Sequence, residues 1–436
     1  MSIQMTRRQL GEAAIGVAVL GLLSACSSSV TPASTASEKV TLRFAWWGND
    51  VRNALTRKLV TAFSAKNPRI TISAEPGVYG SYWDKLATET AAGDMPDVIQ
   101  LDQSYIAEYG GRGALLDLSG QKGIRTADIV QNALKAGRID GKQYGISAGQ
   151  TAYAVMANKR IFQEAGVALP DDKTWTWDDY ISVAAETAAK APKTYGAAYG
   201  STDDALTVWF GQNGESLYTE GGKLGFTEAT LAAFFQRLLT QRDQHAGPSA
   251  SLNSEDGNAA LAQTLFGTGQ LAMSWAWTSQ ASALAAATGD DIAILRVPSR
   301  KGSAAKASMY FKPSMLWTVS RRTKHPEQAA AFVDFLLNSP DAAKIMLADR
   351  GSPVNTTLQS VVTPLLASTD KVANDFLSAI ASEVSFSPAV PPVGAGTISD
   401  VSRRYTDDVL FGRSTPEVAA AKFKAEAEGL INSAAG

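Results

Sequence analysis

The side chains that most often carry chemistry are scarce in this chain of 436 residues, which has two histidines, His245 and His325, and one cysteine, Cys26. Histidine is the commonest general acid or base and the commonest metal ligand. Both copies sit in polar, turn-like contexts: Gln244-His245-Ala246-Gly247 and Thr323-Lys324-His325-Pro326. A zinc site or a Ser-His-Asp triad is hard to assemble from such material, and a single cysteine allows no internal disulfide. Flat rings, in contrast, are plentiful, with nine tryptophans and twelve tyrosines. The balance points to binding rather than to bond-breaking. No metal and no cofactor is expected. A net charge of −2 gives no sign of a nucleic-acid partner, which would call for a basic bias.

The N-terminus carries an address. Thr6-Arg7-Arg8-Gln9-Leu10 precedes a short apolar run, 13–23, which closes on Leu23-Ser24-Ala25-Cys26. The run is shorter than the ~20 residues a spanning helix needs, and its layout is that of an export signal. Leu-Ser-Ala-Cys resembles the lipobox of bacterial lipoproteins, which implies lipidation of Cys26 and a chain held at the outer face of the cytoplasmic membrane. The paired arginines also resemble a twin-arginine signal, so either export route remains open. Residues 27–37 are small and polar and read as a flexible tether.

Elements able to hold a binding site begin at Val40. Residues 40–46 alternate as a strand does. Leu55, Leu59, Ala62 and Phe63 then mark one face of a helix, stopped by Asn67-Pro68. Strands are predicted over 70–74 and 97–101, with a helix over 82–92 opened by a Ser81-to-Asp84 capping box. Asp140-Gly141 favours a tight hairpin, because both central residues need positive φ. A second α/β stretch follows: strands over 154–158, 271–275 and 292–297; helices over 207–211, 231–242 and 259–265; and a capping box at Thr176 to Asp179. The strand 315–320 and the helix 327–337 look like a return to the first domain. Ser339-Pro340 and Thr415-Pro416 each open a further helix. Strands alternating with helices imply mostly parallel sheets with helices on their faces.

Several segments, in order along the chain, resemble the extracellular solute-binding proteins of sugar ABC importers, the group that includes maltose-binding protein. They are Phe44-Ala45-Trp46-Trp47-Gly48-Asn49-Asp50, Ala92 through Ile99 (AGDMPDVI), Tyr144-Gly145-Ile146-Ser147 with Val155 through Gly166 (VMANKRIFQEAG), Thr176-Trp177-Asp178-Asp179, Gly269 through Met273, Ala329 through Pro340, and Arg350-Gly351-Ser352-Pro353-Val354. The resemblance implies an α/β, two-lobed periplasmic-binding-protein fold (type II) with a hinge and a ligand cleft between the lobes. The expected division is an export signal over 1–26, a tether over 27–38, one lobe from 39–146 plus 298–338, and the other from 147–297 plus 339–436. Crossings between lobes are expected near Ser147, Pro298 and Asn338. It also implies a carbohydrate ligand, an ABC permease as partner, and a monomer.

A sugar offers an apolar C–H face to an aromatic ring and hydroxyls to planar polar side chains. In open α/β sheets ligands sit at the carboxyl ends of strands, which singles out Trp47, Asp50 and Arg52, then Tyr82 and Trp83, then Asp102 and Gln103. Gln150 lies just past the first crossing, and Ser314 at the start of the return strand. Trp277, placed after the segment that resembles the family's Gly269–Met273 motif, is the leading stacking candidate. Arg350 precedes the late turn. Arg52 and Arg350 would suit a uronate carboxylate. The alternative reading is a surface glycoside hydrolase, with Asp50 and Asp102 as the carboxylates flanking a scissile bond.

Overall fold

A computed structural model of the chain describes residues 39–384 and 386–435. The segments read as an export signal and a tether, together with Cys26, lie outside the described residues. Among those described, no helix is long and apolar enough to cross a membrane. The strands of the two main sheets are β1 (Val40–Trp47), β2 (Ile70–Gly77), β3 (Val98–Leu101), β4 (Gly145–Ser147), β5 (Gln150–Asn158), β6 (Tyr195–Ala197), β7 (Leu271–Trp277), β8 (Ile292–Leu295), β9 (Phe311–Pro313) and β10 (Leu316–Val319).

The first lobe holds a sheet in the order β2-β1-β3-β10-β4. β1 runs parallel to β2 and β3, while β10 is antiparallel to both β3 and β4. Alternation along β1 divides its side chains between two faces. Leu42, Phe44 and Trp46 enter a core shared with Leu59, Phe63 and Phe332. Ala45 and Trp47 pack on the other side with Tyr82, Trp83 and Leu86. Helix Asp50–Lys66 starts at Asn49, whose side chain accepts the Arg52 N–H, and stops at Asn67.

The second lobe's sheet has the order β8-β5-β7-β6, with β9 paired to the start of β5. Its core gathers Phe210, Phe226, Phe234 and Phe235 with residues from the C-terminal helices Ile398–Leu410 and Pro416–Ala435. Thr176 and Asp179 form the expected capping box on helix Trp177–Lys190. Asp140 and Gly141 take φ values of 48° and 78°, as the tight hairpin requires. The sheets are not mostly parallel as expected, since β5 runs antiparallel to β7, β8 and β9, and β10 antiparallel to β3 and β4. Two local expectations also differ. Helix Tyr79–Ala92 begins ahead of Ser81 and has no side-chain cap, because Tyr82, Trp83 and Leu86 are pulled onto the sheet. The helix expected over 259–265 is only a single turn, Leu261–Gln263, since the Asp256 carboxylate takes the Leu265 N–H and bends the chain.

The chain first crosses at Ala148-Gly149, between β4 and β5. It returns at Ser314-Met315, between β9 and β10, later than the expected Pro298. Residues 298–313 stay with the second lobe: the Pro298 carbonyl accepts from Gln212 at 2.8 Å, and Met309 and Tyr310 enter the second core. The two crossings pair with each other, Ala148 N to Met315 O at 2.8 Å and Ser314 N to Gly149 O at 2.9 Å. Gly149 is pressed so close to the next segment that a Cβ there would stand 1.8 Å from the Arg350 carbonyl oxygen. Nor does the chain leave the first lobe near Asn338. Ser339 caps, and Pro340 starts, helix Pro340–Met346, whose Ala342 and Met346 complete the first core. The third crossing follows Leu366, which still packs with the first lobe's Ala343 and Leu358. Helix Ser368–Ile380 then docks in the second lobe, with Phe376, Leu377 and Ile380 in its core.

Candidate ligand cleft

The carboxyl ends of β1, β3 and β7 and the two paired crossings open on one cavity of about 1100 Å³ between the lobes. Trp47, Asp50, Arg52, Tyr82, Asp102, Trp277 and Ser314 all line it. A second cavity of about 580 Å³ adjoins it, and Lys312 and Pro313 are common to both. Gln103 and Gln150 line this second space.

Trp47 anchors an aromatic corner. Its ring meets Tyr79 at 5.5 Å and Tyr82 at 5.4 Å, both edge-on, and Trp83 at 5.4 Å. Tyr82 is buried, and its hydroxyl donates to the Gln100 carbonyl at 2.8 Å. Gln100 in turn donates its amide to the Trp47 carbonyl at 3.1 Å. Trp83 does not line the cavity as expected. It lies behind the wall, stacked on Tyr105 with ring centroids 3.9 Å apart. Tyr79, 48 % exposed, is the ring that reaches open space. On the facing lobe Trp277 is half-buried, 5.1 Å from Tyr153 and 6.0 Å from Tyr310.

The arginines are committed elsewhere. Arg52 is at the cavity, but its Nε donates to Asp349 at 3.0 Å and its Nη2 to the Asp349 carbonyl at 2.7 Å. Arg350 is not in the cleft: it is 1 % exposed, bonded to Gln100 at 3.1 Å and Thr56 at 2.8 Å, and paired with Asp349 at 3.2 Å. Arg52 and Arg350 therefore do not offer the free pair expected for a uronate. Ser314 holds the hinge, donating its hydroxyl to the Arg350 and Gly149 carbonyls. Asp102 accepts the Ser104 N–H at 2.9 Å, and Gln103 donates to the Ala136 carbonyl at 3.3 Å.

The sequence reading missed Lys312 and two of its acidic neighbours, Asp203 and Asp204. Lys312 points its ammonium at Asp204, 3.6 Å away, and lies 4.9 Å from the Trp277 ring centroid. The Tyr310 hydroxyl donates to the same Asp204 oxygen at 2.9 Å. A lysine flanked by Phe311 and Pro313, just ahead of the strand predicted over 315–320, was the available signal. Asp203 and Asp204 give none, since two acids after Thr202 read as an ordinary helix start. Burial alone would lower the Lys312 ammonium, but Asp204, Asp102 and Asp203 outweigh it and hold its pKa above the ordinary value. Burial pushes the Asp204 carboxyl up to about 7, with Asp203 and Asp102 adding to the rise against the pull of Lys312 and Tyr310.

That shift has a sign that can be measured. A carboxyl raised in the folded state binds its proton more tightly there than when unfolded, so its contribution to stability falls as pH rises toward 7. Denaturant unfolding at about pH 5 and about pH 8 should show the wild type gaining on the acid side relative to Asp204→Asn. Parallel pH profiles for the two proteins would count against the raised value.

Among the described residues, no cluster of His, Cys, Asp and Glu has the proximity to hold a metal ion. The far wall of the smaller cavity is a proline-containing segment, Phe386 to Pro391. Val390 of this segment packs against the first lobe's aromatic cluster. Tyr105 of that cluster also donates to the Gly396 carbonyl at 3.4 Å.

Two α/β lobes, chain crossings paired at a hinge, and a cavity opening where strand ends meet together define a two-lobed binding fold of the periplasmic type II class. Residues 58–376 match the family model described as bacterial extracellular solute-binding protein, and the chain belongs to that family, whose members bind substrates rather than transform them. An uncharacterized lipoprotein encoded in the oleD 5′ region of Streptomyces antibioticus is 28 % identical over 78 % of this chain and 75 % of its own length. A maltooligosaccharide ABC transporter solute-binding lipoprotein of Streptococcus pneumoniae is 24 % identical over 80 % of this chain and 81 % of its own. Among solved structures, a periplasmic oligogalacturonide binding protein from Yersinia enterocolitica, in complex with saturated digalacturonic acid, superposes with a TM-score of 0.80. It is 21 % identical, covering 91 % of this chain and 99 % of that one, and shows the shared fold.

Proposed function

We propose that this protein is the substrate-capturing lipoprotein of an ABC importer and that it takes an oligosaccharide. Cys26 carries the lipid that holds it, as a monomer, at the outer face of the cytoplasmic membrane. The lobes close about the paired crossings, and the permease receives the closed form. One observation carries the reading: the interlobe cavity of about 1100 Å³ is lined by rings from both lobes, Tyr79 and Trp47 from one and Trp277 from the other, beside polar groups such as Asp102, Gln280 and Lys312. Rings take the sugar's C–H faces. The polar groups select among hydroxyl patterns, since a buried partner left unmatched costs about 1–3 kcal/mol. The streptococcal relative is a maltooligosaccharide transporter's solute-binding lipoprotein and the Yersinia structure holds digalacturonic acid, and both favour a saccharide. Ligand that touches both lobes stabilises closure by the contacts made only there. Release to a permease calls for moderate affinity, about −8 kcal/mol at micromolar Kd.

The hydrolase alternative has Asp50 and Asp102 on the cavity wall, but membership of a solute-binding family weighs against it. A thermal-shift screen over mono- and oligosaccharides, followed by product analysis, tests both. A ligand at 100 times its Kd should add about 2.7 kcal/mol of stability, with the sugar recovered intact. Shortened sugars in the mixture would transfer the protein to the hydrolases, and a flat screen would remove the carbohydrate reading.

A further inference from the structure

The cleft's charges are unevenly matched. Asp102 comes from the first lobe, and Asp203 and Asp204 from the second. Asp102 lines the larger cavity and the other two line the smaller one, while Lys312 sits at the junction of both. That ammonium is engaged, with Asp204 at 3.6 Å and the Trp277 ring at 4.9 Å. Asp203 enters no ion pair among the described residues. The remaining charges of the smaller cavity, Lys135 and Arg138 on one side and Glu220 on the other, are exposed at its rim, where solvent screens them.

A second observation points to a missing partner in the same place. Tyr218 lines the smaller cavity beside Asp203 and Asp204 and is 6 % exposed, yet its buried hydroxyl has no hydrogen-bond partner. Buried polar atoms are ordinarily matched, so each exception asks for an explanation. Burial raises this phenol well above its ordinary pKa, and Asp203 and Asp204 add to the rise, so it stays protonated and able to donate. Lobe closure drives carboxylates of the two lobes toward one another while expelling water, which strengthens their repulsion. A metal ion does not answer this need, because the three carboxylates do not converge on a shared point. An ammonium does. It has several donors, tolerates acceptors spread in space, and can sit beside aromatic rings such as Tyr310 and Tyr79.

We propose that the saccharide captured by this cleft carries a basic nitrogen, which lodges between Asp102 of one lobe and Asp203 and Asp204 of the other, within reach of the Tyr218 hydroxyl. The proposal rests on the carbohydrate reading above and narrows it to amine-bearing sugars. The same charge that binds also favours closure, because it cancels repulsion felt only when the lobes approach.

Calorimetric titration of the purified protein near neutral pH compares three oligosaccharides of equal length: glucosamine oligomers with free amines, their fully N-acetylated counterparts, and maltooligosaccharides. Spermidine serves as a cation without a sugar. The free-amine oligomer should bind at least tenfold more tightly than its acetylated form, and the advantage should shrink as salt is added. Asp203→Asn should lower the affinity for the amine oligomer more than that for the acetylated one, with unliganded melting recorded to show that the variant is folded. Tyr218→Phe, which keeps the ring, should narrow the same preference. Equal affinities for amine and acetylated oligomers, or a preference that survives Asp203→Asn, would overturn the proposal while leaving saccharide capture standing. Spermidine binding as tightly as the amine sugar would overturn the sugar part of it. Binding of no saccharide at all would overturn this proposal and the carbohydrate reading together.

Discussion

Replacing Trp277 with alanine should cut the thermal shift given by a bound oligosaccharide from about 2.7 to about 0.5 kcal/mol at the same ligand concentration. Tyr153 and Tyr310 hold the indole from the sides, at 5.1 and 6.0 Å, so the ring is oriented before ligand arrives. Covering roughly 100 Å² of apolar ring surface at about 25 cal/mol per Å² is worth about 2.5 kcal/mol. That amounts to about 70-fold in Kd, and a ligand present at 100 times the wild-type Kd is then close to half-saturating for the variant. Trp277→Phe, which keeps an aromatic face, should recover part of the shift. The half-buried position of the ring leaves the unliganded fold able to form, so the melting curve without sugar is the control. An unaltered shift in the alanine variant would take Trp277 out of the site.

The largest effect on stability should come from Arg350→Met, at about 3 kcal/mol. The guanidinium is sealed from water, and burial pushes its pKa down to about 9 against the pull of Asp349. It persists as a cation because its planar donors reach Gln100, Thr56 and Asp349 while it lies 5.3 Å from the Trp317 ring. Methionine fills much of the space but leaves the Gln100 oxygen and one face of Thr56 unmatched. Asp349 keeps Arg52, which holds the loss below that of a fully orphaned charge. A fall in the denaturant midpoint with unchanged slope is the expected readout. A loss under about 1 kcal/mol would mean that the network relaxes around the change. Gln100 also steadies the Trp47 carbonyl, so saccharide affinity should fall modestly in parallel.

Particular residues show which parts of this molecule could be read from sequence. Asp140-Gly141 and the Thr176 capping box were legible because their geometry is set by neighbours along the chain. The Ser81 box was not, because packing of Tyr82, Trp83 and Leu86 on the sheet extends the helix past it. Trp47, Asp102 and Trp277 were legible as strand-end residues, which the architecture aims at one edge. Arg350 misled, since an arginine before a glycine turn looks like a surface group and only the fold reveals Gln100 and Thr56 around it. Lys312 and Asp204 are 108 positions apart by their numbering, and no local pattern announces that they meet. The return crossing lies later than Pro298 suggests for a similar reason: Pro298 breaks a strand, but whether the chain then changes lobe depends on its contact with Gln212.

The position of β10 bears on how the protein comes into being. This strand, residues 316–319, lies between β3 and β4, so the sheet built from the earliest part of the chain has an unfilled slot while the whole of 150–313 is being made. Neither half can be finished by synthesis of its own contiguous stretch: the first sheet waits for β10, and the second lobe's core waits for helices Ile398–Leu410 and Pro416–Ala435. The nascent molecule therefore matures late and as a unit, and during that interval β3 and β4 present bare edges open to mispairing.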